Sequence, residues 1–166
     1  MKKNNLLFAM LLLLAAIAAP RFSVAQNKDS LKAAATKDLI ANQDYTFKAQ
    51  TTTPLSGRLR QLTSDYSLQV SKDAIISQLP YFGRAYSAPI NPSDGGIQFT
   101  SKEFEYTLTE KKKNGWNISI KFKDAKDVQQ MQLSIFSNGT ASLQVTSNNR
   151  QPISFNGYIT ASGKQK

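Results

Sequence analysis

The sequence predicts a mainly β fold: a curled antiparallel meander of about eight or nine strands, open and barrel-like, with one N-terminal helix. Apolar and polar residues alternate with period two in many short segments from residue 44 onward, which is typical of antiparallel strands with one wet face. Asparagine, glycine and proline separate these segments, as turns require. The chain has no cysteine, so its core depends on packing alone. A β-sandwich has the same alternation and stays the alternative.

Residues 1–25 have the pattern of a cleaved secretory signal. Two lysines precede an apolar run from Leu6 to Ala19, and residues 23–25 (Ser-Val-Ala) supply the small side chains that a signal peptidase reads. The run is shorter than the roughly 20 residues of a transmembrane helix, although a retained anchor is the alternative. We therefore expect a periplasmic or secreted protein that begins at Gln26. Without cysteine it would not be a lipoprotein.

The mature chain is predicted to contain a helical segment, residues 26–43, and a single β-rich domain, residues 44–166. Asp29 or Ser30 can cap a helix that runs to about Asn42. Its predicted inward face consists of Leu31, Ala34, Ala35 and Leu39. The apolar side chains that alternate along the predicted strands are Tyr45, Phe47 and Ala49; Tyr66, Leu68 and Val70; Ala74 and Ile76; Phe104, Tyr106 and Leu108; Trp116, Ile118, Ile120 and Phe122; Met131, Leu133 and Ile135; Ala141, Leu143 and Val145; and Ile153, Phe155 and Ile159.

Burial determines the register of the hairpin around Asn138-Gly139. A two-residue turn there would place Leu133 opposite Gln144, and half of the apolar side chains would face water. A three-residue loop over residues 137–139 pairs Leu133 with Leu143 instead. We therefore expect that loop, with its glycine at positive φ.

The hairpin before it is interpreted in the same way. A three-residue loop over residues 113–115 would pair Leu108 with Ile120 and Tyr106 with Phe122, so that both strands keep their apolar residues on one face.

The interior of the curl is one candidate binding site. Gly157 interrupts the apolar row of the last strand, and the gap could be filled by Trp116. An apolar pocket in a roomy interior would hold a small apolar ligand or a glycan. Its candidate lining residues are Phe47, Tyr106, Trp116, Phe122 and Phe155.

The residue types argue against an enzyme. There is no histidine and no cysteine, which removes the usual triad base, thiol catalysis and nearly all zinc, copper and haem ligation. Glu103 and Glu105 form the best carboxylate pair, but they lie on the polar face of a predicted hairpin. Ser71 and Lys72 are adjacent, so on a strand they point to opposite faces. We expect no catalytic residues, no metal and no cofactor.

The charge is basic, with 21 lysine and arginine residues against 11 acidic ones. A basic exported protein meets anionic envelope surfaces, and we expect no nucleic-acid partner. A lysine cluster at residues 111–113, followed by Lys121 and Lys123, could hold phosphate-rich glycans or lipid headgroups. The favoured interpretation is a charged edge that discourages strand addition.

The stretch LPYFGRAYSAP, residues 79–89, fits neither a helix nor a strand, because Pro80 ends the preceding strand. Two interpretations stay open. In the first, Tyr81 or Phe82 plugs one end of the barrel, and Arg84 stacks on Tyr86 or Tyr81. In the second, Tyr81, Arg84 and Tyr86 form a recognition lip for a sugar or an anionic partner.

Three segments, LPYFGRAYSAP, DGGIQF and NGTASLQVTSNNRQPISFNGYI, in this order and spacing, resemble the domain of unknown function family 4251 of exported Bacteroidetes proteins. The likeness covers roughly Tyr45 to Ile159. It implies a secreted or periplasmic β-rich domain and supplies no catalytic residues. The resembling positions are Leu79, Pro80, Tyr81, Phe82, Gly83, Arg84, Tyr86, Gly95, Gly96, Arg150 and Gly157.

Two classes of function follow from these observations. The first is a non-enzymatic periplasmic binding module for a small apolar ligand or a glycan. The alternative is a structural or protein-interaction component of the cell envelope. A roomy apolar interior would favour the first class. A filled core with Tyr81, Phe82 and Tyr86 exposed would favour the second.

Overall fold

The computed structural model describes residues 23–86, 95–112 and 115–163, with side chains described from Ser30 onward. The chain divides into two compact units, Met1–Leu31 and Lys32–Lys166. Residues 1–22 lie outside the described part, so the signal segment and the mature start stay predictions. No helix within the described ranges is long and apolar enough to cross a membrane.

In the described residues of the second unit, nine antiparallel strands form one nearly closed, barrel-like sheet, which confirms the predicted mainly β class. The order across the sheet is β4-β3-β2-β1-β9-β8-β7-β6-β5, so two meanders join where β1 pairs with the C-terminal β9. The elements are α1 (Ser23–Asn42), β1 (Tyr45–Pro54), β2 (Arg60–Val70), β3 (Ile75–Leu79), β4 (Ile97–Ser101), β5 (Phe104–Lys111), β6 (Gly115–Phe122), β7 (Val128–Phe136), β8 (Thr140–Ser147) and β9 (Ile153–Ala161).

The two end strands of the sheet are joined by a very short link. β4 ends at Ser101 and β5 begins at Phe104, and this distance along the chain spans at most about 11 Å. The end of β4 and the start of β5 must therefore lie close together, although the two strands are at opposite ends of the strand order. Phe99 of β4 packs edge-to-face on Phe122 of β6 with ring centroids 5.0 Å apart, which brings side chains of the two meanders together.

Alternating side chains fill the interior of the sheet. Two tyrosine hydroxyls meet there, Tyr45 of β1 and Tyr106 of β5, with their oxygens 3.2 Å apart. Burial raises the pKa of both phenols, so both stay protonated at neutral pH and one can donate to the other. The fully or nearly fully buried apolar residues include Phe47, Leu68, Val70, Ile75, Leu79, Ile118, Ile120, Met131, Leu133, Ile135, Leu143, Val145, Ile153 and Phe155.

Helix α1 corrects the helical prediction in two ways. It begins at Ser23 rather than at a cap on Asp29 or Ser30. From Ser30 to its end, its buried residues are Thr36 and Ile40, with Leu39 half-buried. The predicted face was therefore wrong, since most of its members are exposed: Leu31, Ala34 and Ala35. Three alanines in a row define no clear apolar stripe, and the polar Thr36 gives no sequence signal of burial.

The helix ends in a Schellman motif whose left-handed residue is not glycine. Gln43 has φ of 50°. Its backbone N–H donates to the Ile40 carbonyl at 3.1 Å, and the Asp44 N–H donates to the Leu39 carbonyl at 3.2 Å. These two bonds satisfy carbonyls at the end of the helix, and β1 begins directly afterwards.

The β7–β8 hairpin confirms the predicted three-residue loop. Leu133 pairs with Leu143, and Ile135 pairs with Ala141. Gly139 has φ of 83°, a region that glycine occupies without steric cost.

The β5–β6 hairpin has the predicted face but a different register. Leu108 pairs with Ile118 rather than with Ile120, and the strands close where Lys111 lies opposite Gly115. Both predicted pairs were therefore wrong by two residues. A shift of two keeps every side chain on its face, so burial alone could not distinguish the two registers.

Gly157 serves a different purpose from the one predicted. A Cβ atom there would collide with the Lys48 carbonyl, and its other near neighbours are backbone atoms of Lys48 and Ala49. The β1–β9 register shifts beside this point, between Ala49 and Thr51. The glycine therefore permits a close backbone approach at a bulge, rather than leaving a gap for Trp116.

Candidate functional site

Three connecting segments meet beside one another at one end of the sheet: residues 55–59, residues 80–86 and residues 148–152. Backbone hydrogen bonds join them. Leu55 N–H donates to the Pro152 carbonyl at 3.2 Å, Tyr86 N–H to the Asn149 carbonyl at 2.8 Å, and Gln151 N–H to the Arg84 carbonyl at 3.0 Å. The stretch that follows β3 is therefore held in place by the β8–β9 connection.

Tyr81 and Arg150 connect these segments through their side chains. The Tyr81 hydroxyl lies 2.7 Å from the Arg84 carbonyl and 3.0 Å from the Gln151 carbonyl, and its proton is available to either. The Arg150 guanidinium lies over the Tyr81 ring at 5.1 Å. The same guanidinium forms an ion pair with Asp127 at 2.8 Å. Tyr81 is half-buried, and both its hydroxyl and its ring contact these segments.

The exposed side chains of this end combine apolar groups with arginine. Phe82 is 40% exposed and Tyr86 is 71% exposed. The Arg60 guanidinium lies 5.2 Å from the centre of the Phe82 ring, a cation–π contact. We define the arginine–aromatic end as the exposed residues Leu55, Arg58, Leu59, Arg60, Phe82, Arg84 and Tyr86.

The charge of the arginine–aromatic end is one-sided. Residues 54–60 and 80–86 contain three arginines and no acidic residue. A partner that covers this end should therefore bind best if its own surface supplies carboxylates or phosphates.

A groove of about 590 Å³ lies where the sheet does not close. We call it the seam groove. One wall is β4 with the glycine before it, and the opposite wall is the β6–β7 connection. Arg150 lies at one end, where its Nη1 donates to the Gly96 carbonyl at 2.9 Å. The lining residues are Gly96, Ile97, Gln98, Phe99, Thr100, Asp124, Ala125, Lys126, Asp127, Val128 and Arg150.

Asp124 fixes the other end of the seam groove, at the bend between β4 and β5. Its carboxylate accepts hydrogen bonds from the Ser101 hydroxyl, from the Lys102 N–H at 2.8 Å and from the Glu103 N–H at 3.1 Å. The bond from Ser101, followed by that from Lys102, lowers the pKa of Asp124. Lys123 N–H also donates to the Glu103 carbonyl at 2.9 Å, which extends the β5–β6 pairing up to the bend.

The structure places the five candidate lining residues in one core rather than around a space. Phe47 and Phe155 are completely buried, Trp116 is buried, and Tyr106 and Phe122 pack half-buried against the same cluster. The seam groove is lined by other residues. The five candidates belong to one hydrophobic cluster or pack against it.

The four loop candidates differ in exposure. Tyr81 is half-buried, while Phe82, Arg84 and Tyr86 are exposed. The arginine that stacks on Tyr81 is Arg150 rather than Arg84. Sequence reasoning missed Arg150 because it lies far from Tyr81 along the chain. Its presence among the positions of the family resemblance was the one signal that pointed to it.

Within the described ranges, no three histidine, cysteine or acidic side chains come close enough together to hold a metal ion. Fold and site together define a β-barrel-like domain with an arginine–aromatic surface at one end and an open seam. The chain belongs to the family described as domain of unknown function (DUF4251), whose model matches residues 27–159.

A solved structure agrees with this fold. The chain is similar to a DUF4251 family protein from Bacteroides eggerthii DSM 20697, with a TM-score of 0.60 and 15% sequence identity, over 82% of this chain and 91% of that one. No curated protein matches the sequence.

Proposed function

We propose that the chain is an exported, non-enzymatic module of the cell envelope that binds a partner protein through the arginine–aromatic end. The observation that carries this proposal is the set of exposed aromatic, leucine and arginine side chains on segments that hydrogen bonds hold together. Tyrosine and arginine dominate binding hot spots. A preorganised surface also loses less entropy on binding than a free loop.

The interior offers less support for a small apolar ligand. Such a ligand would need space among the candidate lining residues, yet Phe47 and Phe155 are fully buried in the continuous core. A ligand there would have to displace packed side chains, which is costly in an interior as dense as an organic crystal. The alternative class, a protein-interaction component, is therefore the one that the geometry favours.

The charge of the end suggests the chemistry of the partner. Arg58, Arg60 and Arg84 are exposed, and guanidinium groups bind carboxylates in a bidentate manner. We infer that the contacting surface of the partner is acidic and contains at least one apolar residue that packs on Phe82 or Tyr86.

The export part of the proposal has a direct test. N-terminal sequencing of the protein recovered from the medium or the periplasm should give Gln26 as the first residue. A membrane fraction that retains Met1 would contradict export by cleavage.

The binding part is tested by capture from periplasmic extract with immobilised mature protein. We expect Arg84→Ala and Tyr86→Ala each to reduce the captured partner by about tenfold, and the capture to weaken with added salt. Their melting temperatures should stay close to that of the wild type, because both side chains are exposed.

A matched control comes from another aromatic residue that lies beneath a cation. The Lys111 ammonium lies 5.4 Å from the centre of the Phe136 ring, and Phe136 is exposed. Phe136→Ala should leave capture unchanged. Equal capture by all variants, or an equal loss with Phe136→Ala, would refute recognition by the arginine–aromatic end.

A further inference from the structure

One sheet edge in the described chain lacks a neighbouring strand and carries no charge or proline of its own. β4 pairs with β3 on one side only. Its other edge faces the β6–β7 connection across the seam groove, and four of its five residues, Ile97 to Thr100, line that groove. An unpaired edge presents main-chain N–H and C=O groups at the regular spacing of a strand, ready to pair with another chain.

The two end strands of the sheet differ in how they are protected. β5 carries Glu105, Glu110 and Lys111, and Glu105 forms an ion pair with Lys123 at 2.9 Å. Such charges discourage strand addition. β4 has the sequence IQFTS, with no charge, no proline and no glycine. Three of its five residues, Ile97, Phe99 and Thr100, are of types that are enriched in strands.

We propose that an extended peptide segment of a partner protein adds to β4 as a further strand and occupies the seam groove. The volume of about 590 Å³ lies within the range of ligand sites. Addition of a strand to an exposed edge is a recurrent mode of peptide recognition, in which main-chain bonds give affinity and alternate side chains give specificity. The length of β4 limits the paired segment to about five residues.

The walls of the seam groove favour a peptide segment, rather than a second copy of the chain, as the occupant. In each copy β4 lies beside its own β6–β7 connection, which contributes Ala125, Lys126 and Asp127 to the opposite wall. Two copies could pair their β4 strands only if both connections moved away. A free extended segment needs no such movement.

The side chains of β4 define the pattern of the peptide. Phe99 is half-buried and points toward the interior, where it meets Phe122. Gln98 and Thr100 are exposed on the other face. The peptide should therefore carry apolar, β-branched or aromatic residues at alternate positions on the Phe99 side, with polar residues between them.

This inference goes beyond the proposed function and does not depend on it, since the seam groove and the arginine–aromatic end are separate surfaces. The probe is a library of random linear seven-residue peptides displayed on phage and selected against the mature protein. Synthetic versions of the selected peptides are then measured by fluorescence anisotropy. We expect binders with alternating apolar residues, and protection of β4 amides from hydrogen exchange when they are bound.

N-methylation of each peptide bond in turn gives the sharper readout. Methyl groups that face β4 should lower affinity by about tenfold or more, because each removes a main-chain hydrogen bond. Methyl groups at the alternate positions should change affinity much less. Loss of affinity with period two is specific to strand pairing, and uniform sensitivity along the peptide would overturn the proposal.

Protein variants provide the matched control. Gln98→Lys puts a charge on the free edge and should weaken peptide binding by about tenfold. Gln144→Lys makes the same change at an exposed position of β8, a strand that is paired on both sides, and should leave binding unchanged. Arg84→Ala should also bind the peptide normally, even if it fails to capture the envelope partner. Failure of the library to yield binders, or binders that protect amides elsewhere, would refute the proposal.

Discussion

The centre of the sheet and its seam are held together by different interactions. At the centre, β9 pairs with β1 on one side and with β8 on the other, and Gly157 brings two backbones into direct contact. At the seam, side chains replace the ladder: Asp124 binds the bend between β4 and β5, and Arg150 joins Tyr81, Asp127 and the carbonyl of Gly96. The centre should therefore be sensitive to steric changes, and the seam to loss of charge.

The largest effect is expected at the centre. Gly157→Ala should lower the free energy of unfolding by about 3 kcal/mol or more, because the added methyl group can be accommodated only if the β1 backbone moves. Urea denaturation measures the loss. Gly163→Ala is the control, since nothing lies within 4 Å of a Cβ atom there. Similar urea midpoints for the two variants would show that the β1 backbone leaves room for a methyl group at position 157.

An intermediate effect is expected where Arg150 holds the seam. Arg150→Ala should cost about 2–3 kcal/mol, because it leaves the half-buried Asp127 carboxylate without its cation. One oxygen of that carboxylate, Oδ1, is buried and already lacks a hydrogen-bond partner. Arg58→Ala, at an exposed position, should have little effect on the thermal transition. Equal stability of both variants would mean that the seam closes without Arg150.

The smallest effect is expected at Asp124, and it should depend on pH. Hydrogen bonds hold the pKa of this carboxyl below its ordinary value of 3.8, so its ionised form is favoured in the folded state. The stability that it contributes is present above the ordinary pKa and is lost as pH falls through the lowered value. Asp124→Asn should therefore differ from the wild type most at neutral pH, and the two should converge in acid.

Urea midpoints measured across that pH range check this expectation. Asp73→Asn is the control for the loss of an exposed acidic charge near a turn. A gap between wild type and Asp124→Asn that stays constant into acid would be inconsistent with a role for the ionised carboxylate.

The sequence predicted the strands well because alternation is a local signal. It also determined the β7–β8 register, since the competing two-residue turn would have exposed Leu133 and its neighbours. The sequence could not determine the β5–β6 register, because two registers that differ by two residues bury the same side chains. β5 is an edge strand whose Leu108 remains exposed, so burial constrains the β5–β6 register only weakly.

The candidate site was predictable only in part. LPYFGRAYSAP stood out as a functional or packing element, and its Phe82 and Tyr86 are exposed. The contacts that organise it come from Arg60 and Arg150, which lie in other parts of the chain. Interactions between residues distant in sequence have no period and no local motif, so a single sequence does not reveal them.

The pairing of β1 with β9 also has a consequence for the order of folding. Tyr45 lies opposite Ala161, so almost the whole domain must be synthesised before β1 acquires its second neighbour. Until then β1 and β8 each present an open edge, and the β1–β4 and β5–β8 meanders can form only as separate halves. Such long-range closure is intrinsically slow, and the last nine residues of the sheet convert two incomplete halves into one cooperative structure.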